Sequence, residues 1–294
     1  MKLGTALVGG TTRAFRQDDS GTFFYAAGNV DELLRDPLWR EQSSEPGEAP
    51  APGELTQPVI RPGKVICVGL NYHDHAAEVG KQPPDVPTLF SKVATALIGP
   101  RDEIELPPLS SEIDWEAELA VVIGSQVKRA SEQQAREAIL GYTVLNDVSV
   151  RDWQRRTSEW FQGKNFDRST PVGPVIVTAD ELDPSDGLRV QTIVNDRVEQ
   201  DGTTSNLIFG AVDLVVYLSQ FLTLEPGDMI ATGTPGGVGF VQKPPRFLRS
   251  GDVMTTRIEG IGDLVNTIRL GEPHPATASP ESRTQDTLAV KGKP

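Results

Sequence analysis

The chain has 294 residues, enough for two ordinary domains or for one large β-rich domain with an appendage. Hydrophobic residues make up 37% and charged residues 23%, ordinary globular usage that excludes wholesale disorder, while 28 Gly and 23 Pro favour a turn-rich, strand-rich chain. With 28 Lys and Arg against 41 Asp and Glu the formal charge is −13, which repels a phosphate backbone and argues against nucleic acid as a partner.

No apolar run approaches the roughly 18 residues of a membrane-spanning helix, so a soluble, cytoplasmic protein without membrane contact is expected. The single cysteine, Cys67, cannot form an internal disulfide and sits in the apolar run KVICVG, where a buried structural thiol is expected.

In chain order, residues 1–40 show an alternating segment LGTALVGG, a turn at QDDSG, a short strand TFFYAAG and VDELLRD with helical spacing. A hairpin plus one helix is expected. From Glu41 to Gly63 several prolines and four glutamates, with no lysine until Lys64, have the composition of an exposed connector. The boundaries that follow are a small amino-terminal domain with its acidic connector over 1–62, a main domain over 63–270, and a mobile tail over 271–294 that is poor in large apolar residues. In the main domain, short β-branched runs such as KVICVGL, ELAVVIG, YTVLNDVS and LVNTIRL recur between Gly, Pro, Asp and Asn. Helices are expected at HDHAAEVGK, at SEQQAREAILG with Ser131 as cap, and at NLIFGAVDLVVYLSQFL. The fold class is therefore α+β and β-dominated.

The acids of DWEAELAVVIG carry the clearest chemistry. As a strand, the segment places Asp114, Glu116 and Glu118 on one face, where they repel one another unless protonated, solvated or neutralised by a cation. Asp147 ends the next apolar run and can turn toward the same cleft. Glu116, Glu118 and Asp147 then form a three-oxygen site that leaves about three positions of an octahedral Mg²⁺ or Mn²⁺ for water and substrate. The rival reading is a solvated edge strand whose acids prevent aggregation.

His75 and Glu78 lie three apart and share a helix face, so the carboxylate can orient the imidazole as a water-activating dyad; a plain surface contact is the alternative. A zinc site on His73 and His75 lacks further His or Cys ligands. After Asp147 come Arg151, Gln154 and Lys164, residue types suited to an anionic, oxygen-rich substrate. The glycine-rich ATGTPGGVGF lacks both the phosphate-loop and the dinucleotide pattern, so neither nucleotide nor flavin is expected, yet its backbone amides and Thr234 can approach a ligand.

Together and in order, CVGLNYHDHAAEVG, PTLFSK, DWEAEL, LNDVSVRDWQ, QGKNFD and TGTPGGVG resemble the fumarylacetoacetate hydrolase family over roughly Lys64 to Arg269. The resemblance implies a mixed β-sandwich roll of that family's C-terminal-domain type, a small amino-terminal domain and a homodimer. It further implies metal ligands at Glu116, Glu118 and Asp147, a dyad at His75 and Glu78, and Lys164 near the metal. Substrate contacts are implied at Arg151, Gln154, Thr234, Tyr72 and Lys92, with a lid running from about His75 to Pro87. The implied reaction is Mg²⁺- or Mn²⁺-dependent hydrolysis of a C–C bond in an acylpyruvate or related 1,3-dicarbonyl acid, the ion stabilising an enolate and the dyad activating water. Decarboxylation of an oxaloacetate-type acid and isomerisation of a hydroxy-dienedioate use the same enolate and are its alternatives. From a different class, a non-catalytic cation-binding β-domain predicts stabilisation by Mg²⁺ without turnover.

Overall fold

A computed structural model describes residues 1–271. The tail expected from 271 onward lies, from residue 272, outside the described residues. The fold is a β-dominated roll built on two large sheets.

At the centre of the larger sheet the strands Ala117–Ile123, Ile139–Asn146 and Thr170–Thr178 run antiparallel in that spatial order. Ala117–Ile123 is flanked on its other side by Met229–Ala231, which pairs in parallel with Val65–Gly69, and Val65–Gly69 pairs in turn with Thr88–Lys92. Residues 117–123 and 139–146 are buried throughout, because both faces of the sheet are covered. On one face Leu119 and Val121 pack with Val190, Leu214 and Ile258; on the other Ala120 and Val122 pack with Leu3, Leu33 and Trp39. Continuous apolar runs, not clean alternation, are what such two-sided burial requires. The second sheet has five strands, Arg197–Thr203, Arg189–Val194, Val253–Ile258, Gly262–Leu270 and Ile104–Leu106.

The amino-terminal strands Lys2–Val8, Thr11–Asp18 and Gly21–Tyr25 form the expected hairpin with one strand more, and Val30–Leu33 is helical with Asn29 as its cap. The meander joins the central sheet edge to edge, with Lys2 opposite Val177. The acidic segment after Glu41 is more than an exposed connector. Its residues Ser44–Gly47 pair with Gly21–Tyr25, Val59 is buried, and the Thr5 hydroxyl donates to the Pro58 carbonyl at 2.7 Å. Charge and proline content hid a strand that borrows its hydrogen bonds from a neighbour distant in sequence.

The three helices expected in the main domain are present as His73–Glu78, Glu132–Ala138 and Ala211–Ser219. Ser131 caps the second, accepting from the Gln134 N–H while Gln134 Oε1 accepts from the Ser131 N–H. That helix ends at Ala138, not Gly141, since Ile139 already begins the central strand.

Two one-turn helices, Arg151–Gln154 and Phe161–Lys164, cross closely beneath the sheet. A Cβ on Gly163 would stand 2.4 Å from the Gln154 backbone nitrogen, so no side chain fits there. Gly163→Ala must push these helices apart and is expected to cost about 1–3 kcal/mol, read as a lower urea midpoint at unchanged m-value; an unchanged midpoint would show that the contact gives way freely.

Candidate metal centre

Glu118 lies on the central strand Ala117–Ile123 and Glu116 just before it, and both side chains leave on the face that carries Ala120 and Val122. Asp147 follows the neighbouring strand Ile139–Asn146, its backbone N–H donating to the Glu116 carbonyl at 2.9 Å. The pairing of Ala117 with Asn146 therefore brings the three acids to one end of the sheet, where their carboxylate oxygens lie within 4.8 Å of one another, all buried.

Asp114 does not join them. The strand is interrupted at Trp115 and Glu116, and Ile113–Asp114 pairs instead with Ser149–Val150. Asp114 accepts from the N–H groups of Gly239 at 2.7 Å and Phe240 at 3.1 Å and from Arg151 Nε at 2.8 Å. The expected single acidic face of Asp114, Glu116 and Glu118 thus holds only for the last two, because alternation fails where the strand breaks.

Cations balance most of this charge. Arg151 Nη1 is 2.6 Å from Glu116 Oε1, and Lys164 Nζ donates at 2.7 Å to both Glu116 Oε2 and Asp147 Oδ2. Lys92 Nζ lies 2.8 Å from Asp147 Oδ1 and also contacts the Lys164 carbonyl. Burial opposes ionisation of Glu116, but Lys164 and Arg151 outweigh it and draw its carboxyl down to about 2. For Glu118, burial and then the neighbouring Asp147 and Glu116 push the carboxyl well above the usual range, relieved only in part by Lys164 and by the Gly233 N–H, which donates to it at 2.9 Å. That N–H is delivered by a backbone at φ +95°, with Val68 O and Asn71 Cβ 2.9 Å from where a Cβ would sit, a position open only to glycine.

The donor set fits a hard divalent cation: three oxygen ligands close together, one of which, Glu118, has no cation in hydrogen-bond contact.

Glu116 and Glu118 open onto a cavity of about 460 Å³ whose wall also includes His75, Arg151, Gln154, Lys164 and Thr234. His75 Nδ1–H donates to Glu78 Oε2 at 3.1 Å, and Glu78 Oε1 accepts from the Gly237 N–H at 2.9 Å, so the glycine-rich loop anchors the dyad. Gln154 accepts from Arg151 Nη1 at 2.9 Å, while Arg151 Nη2 is buried without a hydrogen-bond partner. Tyr72 and Lys92, expected as substrate contacts, are not on the cavity wall formed by the described residues. Tyr72 is fully buried, its hydroxyl unpartnered and its ionisation driven up by burial and then by Glu118, and Lys92 is committed to Asp147. Cys67 is buried, as expected for a structural thiol.

Gln200 escaped the sequence reading. Its amide donates to Thr234 Oγ1 at 2.8 Å and accepts from the Ala117 N–H at 2.9 Å, tying the glycine-rich loop to the acid-bearing strand. No motif marks it. Trp160 was also missed; it closes the cavity edge-on to Phe90 and lies where a Cβ on Gly69 would stand, 2.4 Å away.

Three buried carboxylates, two of them on one cavity with the histidine of a histidine–glutamate pair, form a candidate site for a cation and for acid–base chemistry. Residues 64–269 match the family model described as fumarylacetoacetate (FAA) hydrolase C-terminal, and the chain belongs to the fumarylacetoacetate hydrolase family. It is 46% identical over 213 residues to a human protein named oxaloacetate tautomerase FAHD2A, mitochondrial, covering 72% of this chain and 68% of that protein. Among solved structures it resembles a fumarylacetoacetate hydrolase from Exiguobacterium antarcticum, at TM-score 0.81 and 34% identity over 92% of this chain and 100% of that one. It also resembles 2-hydroxyhepta-2,4-diene-1,7-dioate isomerase from Mycobacterium marinum, at TM-score 0.73 and 34% identity over 92% and 98% of the two chains. Among the described residues no helix is long and apolar enough to cross a membrane.

If the triad holds the cation, Mg²⁺ at about a hundredfold excess over its Kd stabilises the wild type by about 2.7 kcal/mol. Glu118→Gln is expected to abolish that gain while leaving the metal-free protein no less stable, because burial and two neighbouring carboxylates already oppose a charge at this position. Calorimetric melts with and without Mg²⁺ check both; an undiminished Mg²⁺ response would remove Glu118 from the ligand set.

Proposed function

We propose that the chain is a divalent-metal-dependent enzyme that moves a proton on a small 2-oxo acid, with the enol–keto interconversion of oxaloacetate as its first candidate reaction. The observation that carries this reading is that His75, hydrogen-bonded to Glu78, and the Glu116 and Glu118 carboxylates face one cavity. The name of the human relative supports the choice of acid. Glu116, Glu118 and Asp147 would hold Mg²⁺ or Mn²⁺. When bound, such an ion supplies a positive centre for two neighbouring oxygens of the acid and lowers the energy of enolate charge.

The chain's own groups do the rest. With Nδ1–H engaged by Glu78, His75 keeps Nε2 as the nitrogen that takes a proton from the carbon next to the ketone or returns one to it. The Glu78 carboxylate stabilises the imidazolium formed in between, and the Gly237 N–H keeps Glu78 in place. Arg151 Nη2 offers a free donor to the substrate carboxylate, and Thr234, oriented by Gln200, offers a hydroxyl.

A second reading, hydrolysis of an acylpyruvate by a His75-activated water, is favoured by the name of the Exiguobacterium structure. The proposal includes a homodimer located in the cytoplasm; the human relative's name places that protein in mitochondria. His75→Ala is expected to slow oxaloacetate tautomerisation, followed by ultraviolet absorbance of the enol, by about 10²–10⁴-fold at nearly unchanged Mg²⁺ affinity; equal loss of both would remove the acid–base role. Mass spectrometry of a substrate panel separates unchanged mass from two carbonyl fragments or released CO2, and fragments from acylpyruvates alone would put hydrolysis first.

A further inference from the structure

Lys81 lines the same cavity and has no described role. The other cavity-lining cations are already engaged: Arg151 by Asp114 and Glu116, Lys164 by Glu116 and Asp147, and Arg155 by Glu112. Among the described residues Lys81 forms no ion pair, so its ammonium is the one uncommitted positive charge on the wall.

Its place is set by the helix that carries the dyad. His73–Glu78 ends in a two-bond cap in which the Gly80 N–H donates to the Ala77 carbonyl at 3.1 Å and the Lys81 N–H to the Ala76 carbonyl at 2.8 Å. Gly80 sits at φ +69°, the left-handed conformation such a cap demands. The cap turns the chain back at Lys81, one helical turn beyond Glu78, so the residue that follows the acid–base pair stays beside the cavity. An exposed lysine there keeps its ammonium hydrated while its stem lies along the wall.

Given the 2-oxo acid reading above, on which this assignment rests, we infer that Lys81 is a specificity-determining residue that receives the second carboxylate of a dicarboxylic 2-oxo acid. The head of the acid lies at the triad and Arg151, and the far carboxylate reaches the rim. A rim cation matters more than usual in this chain, because a dianion approaching a protein of formal charge −13 is repelled at long range.

The test compares oxaloacetate with 2-oxobutyrate, which keeps the 2-oxo acid head and replaces the far carboxylate by a methyl group. Binding to the Mg²⁺-loaded protein is measured by calorimetry. The wild type is expected to prefer oxaloacetate by about tenfold, the size of one charge-assisted contact. Lys81→Met should erase that preference without changing the Kd for 2-oxobutyrate, and Lys81→Arg should restore it. A preference that survives in Lys81→Met, equal weakening of both ligands, or no preference in the wild type overturns the role of Lys81 alone. Failure of the wild type to bind either acid overturns the 2-oxo acid reading and the Lys81 assignment with it.

Discussion

Seven charged side chains buried around one point constrain this molecule more than any other interaction. Asp114, Glu116, Glu118 and Asp147 face Lys92, Arg151 and Lys164, all nearly or fully inaccessible to water. Removing each such charge from water costs several kcal/mol unless a partner compensates it. Six of the seven find an opposite charge within contact distance, and Glu118 finds only a backbone N–H. With all four acids ionised they exceed the three bases by one negative charge, and a divalent cation would turn that excess into a net positive charge. The same ion that relieves Glu118 would make the pocket attractive to an organic anion.

That balance can be reached only through the fold. Glu116, Glu118 and Asp147 lie on or beside two adjacent strands of the central sheet and Asp114 on a separate short strand, whereas their cationic partners come from elsewhere: Lys92 ends an edge strand, Arg151 opens one short helix and Lys164 closes another. Asn71 holds the segment before the dyad helix to both neighbouring loops, donating to the Phe209 and Thr232 carbonyls at 2.9 and 2.8 Å and accepting from the Phe209 N–H at 2.8 Å. Gln200 likewise joins the glycine-rich loop to Ala117 on the acid-bearing strand by buried hydrogen bonds. A site made this way is buried where the acids lie and open to solvent at the rim, where Lys81 and Arg155 are exposed.

The acids were legible because strand alternation is a local property: Glu116 and Glu118 are two apart, and Asp147 ends a run that had to be a strand. The dyad was legible for the same reason, at helical spacing. Asp114 was misplaced because a two-residue break in the strand leaves no mark in a sequence that stays apolar and acidic across it. Gln154 looked free and is held by Arg151, and Tyr72 and Lys92 looked like wall residues and are packed behind the wall, since sequence spacing says nothing of depth. The edge strand at Ser44–Gly47 was hidden by its composition: its residues are mostly exposed, and it exists because Gly21–Tyr25 offers it hydrogen bonds.

The dyad is held from both sides, by its helix and by the Gly237 N–H on Glu78. The identity of the reaction then depends on what the bound acid places next to that imidazole. A 2-oxo acid with hydrogens on the carbon beside its ketone presents a proton to be moved, and the product keeps its mass. An acylpyruvate presents a second carbonyl one carbon further out, which leaves space for a water between it and the base and leads to cleavage. On the proposed reading both begin with the same head group and would use the same cation and the same imidazole. The choice among tautomerisation, isomerisation and hydrolysis would then fall to the outer half of the cavity, formed here by Lys81, Arg155 and Trp160, and not to the three acids.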